Sequence, residues 1–477
     1  MERARSDGES YYRALHALAQ VSKSWADLII NDPRLWTFVF CGESQDDVTR
    51  AVERSGNLPL TLITRFSKEP IHQWRQGGGP GVEDLLRHAH RWKSLALSYN
   101  GAAALWHRLE SGVGLLSLEE LIGYGLQPCL ANMPNLLHLS LEACVVPRID
   151  VQGLKTLKLD KILDARADQL LALLVASPGL VELELFVLTY EESDETHSCI
   201  NLPALRSMKV ESGPTAFATF LLAQVSAPRC DHYSIREAGF DEGEAVDPQA
   251  LLRAIEPHLV TWSSRWISEG MSAPIATVLR PRDFILLRAS GEKRFSVESG
   301  ISTVHLLDWM SSSLFPALTA KQPAKAKVAV SFSPRQGFDL SETRVASTIM
   351  DIKAHVLLDL RAEDPPRGLD SFFDRLSGPY GSGDRNNGMT TYWSIPYLSI
   401  IHFTGFRGPW NTLLKMVRFR YRNQPLEAQL KDTGASGCAP VCLLFSDCEM
   451  DQANKEDLKA IVGSFRWRGK NASALWE

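Results

Sequence analysis

Residues 154–159 read LKTLKL, 180–185 read LVELEL, 205–210 read LRSMKV and 230–235 read CDHYSI. In each, positions one, four and six are apolar, so the last two apolar residues lie two apart and share one face of a strand. One such match decides nothing, because with this composition about one window in twelve would show it by chance. The interval decides. The four segments begin at 154, 180, 205 and 230, a step of about 25 residues that marks an internal repeat. The same spacing occurs at Trp92-Leu95-Leu97 and Leu136-Leu139-Leu141, and more weakly at Ile301-Val304-Leu306 and Leu398-Ile401-Phe403. Between these segments lie stretches with apolar residues three and four apart, at 168–176, 215–225, 248–255, 371–376, 410–417 and 455–462, which predict helices. Several end at a helix-stopping pair or residue: Pro178-Gly179, Pro228 and Pro257.

The pattern resembles leucine-rich repeats. Asn100 and Cys144 stand three places beyond their strands, where such repeats often carry Asn or Cys. The resemblance implies an α/β fold, an irregular horseshoe-shaped solenoid with strands on its concave side, each repeat burying its apolar face against the next. The polar residues that alternate with the strand leucines, His138, Ser140, Thr156, Lys158, Glu182, Glu184, Ser207 and Lys209, then line a concave surface suited to a protein target. The array is expected over residues 92–477, with a break near 262–327 where the spacing is poorly kept. The competing reading is an ordinary parallel α/β sheet whose strands share the spacing.

The N-terminal segment has a different character. Leu15, Leu18, Val21, Trp25 and Leu28 fall at helical spacing, then Asn31-Asp32-Pro33 interrupts the chain before Leu35 and Trp36. The run Leu18-x-x-Val21-Ser22-Lys23-Ser24-Trp25 with Leu28, followed by Asp32-Pro33-Arg34-Leu35-Trp36, resembles the second half of a fungal F-box. Residues 52–62 resemble the strand that follows it in that family. The family's opening Leu-Pro-x-Glu helix has no counterpart before Tyr11, so the box is truncated. The resemblance implies a helical F-box remnant over 1–40, a linker and cap over 41–91, and docking of a Skp-type adaptor by Leu15, Leu18, Val21, Trp25, Leu28, Pro33, Leu35 and Trp36. The protein would then be a substrate-recognition subunit of a Skp–cullin–F-box ubiquitin ligase, a monomer outside the complex. The alternative is a leucine-rich-repeat interaction scaffold without a ubiquitin link, its N-terminal helix serving only as a cap.

Composition narrows the function classes. The 477 residues carry a net charge of −5, without the basic excess of nucleic-acid binders. The charged N-terminus lacks the apolar core of a secretory signal, and acidic residues interrupt the longest apolar stretch, so cytoplasm or nucleus is expected and membrane association is not. The eight cysteines include no CxxC pair, which argues against structural zinc. No nucleophile elbow, zincin, phosphate-loop or kinase pattern is present. The glycine-rich runs 77–81 and 381–388 read as surface loops, and the acidic run 191–195 as a solvated one. Function by binding is therefore expected, with no cofactor, no metal and no catalytic group. A third class, an α/β enzyme with a site assembled from dispersed residues, would show itself as a pocket with clustered, perturbed ionisable groups.

Overall fold

The computed structural model describes residues 8–41, 45–64, 85–97, 114–125, 133–143, 151–163, 165–191, 199–212, 215–237 and 248–268. Beyond these it describes 275–280, 283–287, 294–298, 309, 312–313, 329–332, 355–361, 369–376, 379–380, 392–393, 398–404, 410–422, 442–446, 448, 450–462, 466–468 and 471–474. The chain divides into two compact units, the first ending at Cys230 and the second running from Asp231 to Glu477 apart from a short return at Glu237–Gly239.

The first unit is built on eight parallel strands: β1 (Phe38–Cys41), β2 (Leu60–Thr64), β3 (Trp92–Leu97), β4 (Glu120–Tyr124), β5 (His138–Glu142), β6 (Thr156–Ile162), β7 (Glu182–Val187) and β8 (Ser207–Ser212). Each pairs in parallel with the next in chain order. The register aligns one side chain per strand into a single row: Val39, Leu62, Leu95, Leu121, Leu139, Leu157, Leu183 and Met208. All eight are buried, and this row is the spine of the core. Before most strands a tight turn closes, with Leu118, Leu136, Leu180 and Leu205 donating their N–H groups to Leu115, Met133, Ser177 and Leu202. The crossover helices α4 (Ala167–Val175), before β7, and α5 (Thr215–Gln224), after β8, bury Leu170, Leu171, Leu173, Leu174, Phe217, Leu221 and Leu222.

The expected leucine-rich-repeat horseshoe is corrected. The chain forms an α/β fold with a parallel sheet, Rossmann-like in that strands running one way are joined by crossovers. The second unit breaks the repeat outright. There β9 (His232–Glu237) pairs with β12 (Arg294–Glu298), skipping β10 (Ile275–Arg280) and β11 (Asp283–Leu287). β10, β11 and β12 form an antiparallel meander. Parallel pairing resumes from β10 to β13 (Ala329–Phe332), β14 (His355–Arg361), β15 (Leu398–Thr404) and β16 (Cys442–Ser446). A hairpin of β17 (Arg466–Arg468) and β18 (Asn471–Ala474) closes antiparallel on β16. The reason for the mismatch is physical. Two apolar residues on one face and a third filling the preceding turn suit any buried parallel strand, so the spacing fixes the strand and not the superstructure.

Helices α7 (Leu369–Leu376), α8 (Trp410–Arg422) and α9 (Gln452–Val462) are tied by ion pairs, Lys415 to Asp374 at 2.8 Å and Arg418 to Asp457 at 2.6 Å. The helix expected to stop at Pro257 continues instead. α6 runs Pro248–Ser268, and buried Leu251, Leu252, Ile255, Leu259 and Trp262 hold both halves down. Their burial outweighs the ~3 kcal/mol cost of an interior proline.

Three successive strands of the first unit end in the same way. Gly125, Ala143 and Lys161 follow register-matched Tyr124, Glu142 and Asp160, and all three have positive φ, 66°, 52° and 53°. The Gly125 and Ala143 N–H groups donate to the carbonyls of Glu142 and Asp160 on the next strand, which requires the left-handed turn. A side chain there is strained by about 1–2 kcal/mol and glycine is not. Ala143→Gly is therefore expected to raise unfolding free energy by about 0.5–1 kcal/mol and Gly125→Ala to lower it by about 1 kcal/mol, read from urea denaturation midpoints.

Candidate functional site

The N-terminal segment folds as two helices, α1 (Gly8–Val21) and α2 (Lys23–Asn31), and a 3-10 turn at Pro33–Trp36. Ser22 separates the helices and accepts the Trp25 N–H at 3.2 Å, the usual work of an N-cap serine. Asp32 caps the turn in the same way from Arg34, and the Arg34 guanidinium beside it holds its carboxyl below the ordinary carboxylate range. One side of this assembly is anchored. Tyr12, Leu15, Ile29 and Trp36 are buried. Tyr11 donates its hydroxyl to the Leu35 carbonyl at 2.7 Å and Tyr12 to the Phe38 carbonyl of β1 at 2.9 Å. Trp36 donates its indole N–H to the Ile29 carbonyl at 2.7 Å, and Arg54 of α3 (Gln45–Arg54) lies 4.5 Å above its ring. A further tie reaches from β3's leading turn to α3, where buried Arg91 donates to the Leu58 carbonyl and the Ser55 hydroxyl.

The other side is open. Val21 is 67% exposed, Leu28 52% and Trp25 44%, with Leu18 and Ile30 also exposed. Spread over two short helices, they make an apolar surface that water covers unfavourably. Of the residues expected to dock an adaptor, Leu18, Val21, Trp25, Leu28 and Pro33 lie exposed, Leu35 is half-buried, and Leu15 and Trp36 belong to the core.

The second surface is the face of the first unit's sheet opposite the leucine spine. The register gathers the eight polar residues singled out from the sequence into two transverse rows: His138, Thr156, Glu182 and Ser207 in one, Ser140, Lys158, Glu184 and Lys209 in the other. All are partly or fully exposed. Lys158 bridges Glu182 at 2.9 Å and Glu184 at 3.4 Å, and Lys209 donates to Glu184. Hydrogen bonding to Glu182 is the main cause that lifts the Lys158 ammonium above its ordinary pKa. For Glu184, burial pushes the carboxyl up, but Lys209 and Lys158 together outweigh it and hold the group below the ordinary carboxylate range. A third row, which spacing alone missed, contains Tyr124, Glu142 and Asp160. Glu120 accepts from Ser94 at 2.5 Å in the first row. β4 carries Gly123 where the third apolar residue should stand, so it was not recognisable as a strand of the set.

Because Glu184 has a lowered pKa in the folded protein, it stabilises the fold above the unfolded-state value near 4.3 and that contribution is lost as pH falls through the lowered value. Glu184→Gln is expected to flatten the fall in thermal midpoint on acidification below about pH 5. An unchanged acid profile would mean that the lysines do not hold this carboxylate in solution.

Neither surface carries the marks of catalysis among the described residues. No three His, Cys, Asp or Glu side chains there converge on a metal position. A cleft of about 730 Å³ lies in the first unit, lined by Asn57, His90, Lys93, Glu119 and Asn135 among others. It sits at the amino ends of β2 to β5, whereas parallel α/β sheets take ligands at the carboxyl ends, where strand order reverses. The order of β1 to β8 nowhere reverses. In its wall Lys93 pairs with Glu119 at 3.2 Å and Asn135 donates to the Leu116 carbonyl at 2.6 Å, so these polar groups serve the fold. No described helix is long and apolar enough to cross a membrane.

No family model matches the chain and no curated protein matches it.

Proposed function

We propose that this protein works by binding, as a substrate-recognition subunit of a Skp–cullin–F-box type ubiquitin ligase. The exposed α1–α2 face seats the adaptor, and the open face of the first unit's sheet holds the target. The observation that carries the proposal is the split character of α1–α2: Tyr12, Leu15 and Trp36 anchor the pair, while Leu18, Val21, Trp25 and Leu28 stay in solvent. A cap alone has no use for that second face, and a docking surface needs a rigid support behind its apolar anchors. The chain supplies orientation and proximity, and no reacting group.

The test is capture of a purified Skp-type adaptor by the full chain. Trp25→Ala and Leu28→Ala are expected to weaken capture at least tenfold, the loss typical of central aromatic and aliphatic anchors. Both side chains are exposed, so the fold should be kept. Absence of capture would leave α1–α2 as a cap and the protein as an interaction scaffold, the reading that the Tyr11 and Tyr12 hydrogen bonds favour.

A further inference from the structure

We infer that the open face of the first unit's sheet selects a cationic protein segment, bearing arginine or lysine, and engages it at Tyr124, Glu142 and Asp160. The inference rests on the reading of that face as the target surface and adds the chemistry of the target.

The side chains of the transverse rows decide the sign. Carboxylates are supplied by Glu120, Glu142, Asp160, Glu182, Glu184 and Glu211, and ammonium groups by Lys158, Lys161 and Lys209. Each lysine is already spent inside the face: Lys158 on Glu182 and Glu184, Lys209 on Glu184, and Lys161 on Glu142 at 2.5 Å. An anionic partner would have to break these pairs before meeting a positive charge. A cationic one meets a surplus of carboxylate as it stands, and charge complementarity of this kind governs choice of partner and rate of encounter.

An aromatic ring points the same way independently. Tyr124 is 43% exposed and stands in register beside Glu142, which stands beside Asp160. Neighbouring strands are about 4.8 Å apart, so ring and carboxylates occupy three adjacent positions along one line. A guanidinium over the ring gains cation–π attraction while a neighbouring one pairs with a carboxylate. The strands end immediately beyond this row in the left-handed residues Gly125, Ala143 and Lys161, so the row lies at the sheet's rim, accessible to a chain laid across the strands.

The experiment measures fluorescence anisotropy of a labelled peptide of alternating arginine and serine, and of its glutamate–serine counterpart, with the full chain at physiological ionic strength. The arginine peptide is expected to bind and the glutamate peptide to fail. Glu142→Gln with Asp160→Asn should weaken binding about tenfold or more, and Tyr124→Ala alone about threefold. Asp374→Asn with Asp457→Asn, an equal charge change in the second unit, should alter it less than about twofold. Equal loss in both double variants would reduce the attraction to net charge and overturn the inference, as would failure of the arginine peptide to bind. Binding of the glutamate peptide, lost in the face variant, would keep the face as a binding surface and overturn only its charge class. Adaptor capture through α1–α2 is unaffected by any of these results.

Discussion

Trp36→Ala is expected to lower the unfolding free energy of the first unit by about 4 kcal/mol, the largest loss of any single truncation in the N-terminal segment. The indole is 2% exposed, stacks on Tyr12 with ring centroids 6.3 Å apart, and lies under the Arg54 guanidinium. Truncation to alanine removes those contacts, opens a cavity, and leaves the buried-side Ile29 carbonyl without its donor, which adds about 1 kcal/mol to the packing loss. Trp25, eleven residues earlier, is the control. Its ring is largely in solvent, so Trp25→Ala should cost less than about 1 kcal/mol while removing an anchor for the adaptor. Urea unfolding followed by tryptophan fluorescence, beside adaptor capture, separates the two. If Trp25→Ala destabilised the chain as much as Trp36→Ala, the helix pair would have no free face and adaptor docking through it would fall.

Leu157→Ala should cost a further ~3–4 kcal/mol by a different route. Leu157 is fully buried in the middle of the eight-residue spine, in register with Leu139 on one side and Leu183 on the other. Its neighbours are held by their own strands and turns and are poorly placed to collapse into the void, which puts the site at the costly end of leucine truncations. Lys158→Ala, one residue along and facing the other way, removes exposed ion pairs only and should cost less than about 1 kcal/mol. The contrast is the energetic signature of the strand's two-residue alternation. Comparable losses at 157 and 158 would mean that the register is wrong.

These two sites also mark what the sequence could and could not disclose. Leu157 was legible because period-two alternation is local: a strand must turn every second side chain inward, and LKTLKL says so. The open face followed from the same alternation, and the eight polar residues chosen from it fall in two rows. The superstructure was not legible, because the spacing reports on one strand and its preceding turn, while the β9–β12 pairing and the antiparallel meander depend on partners more than fifty residues away. β4 was missed because Gly123 replaces an apolar residue, and Tyr124, Glu142 and Asp160 because they lie beyond the six-residue phrase. In the N-terminal segment, helical spacing gave the helices and the break at Pro33. It did not separate Leu15 and Trp36, which point inward, from Leu18 and Trp25, which do not, since a pair of helices with apolar residues on two sides offers no rule for which side is covered.

The hydroxyl of Tyr12 has one more consequence. The Phe38 carbonyl that it meets belongs to the outermost strand of the first sheet, whose backbone would otherwise present a row of unsatisfied donors and acceptors to passing chains. Helix α1 thus guards the solution behaviour of the whole molecule. A product clipped between α2 and β1 would bare an apolar strand, Phe38 to Cys41, ready to recruit a second chain. Its fate would be self-association and clearance by the cell's protein-quality machinery, so intact monomer should become scarce before any loss of partner binding could be observed.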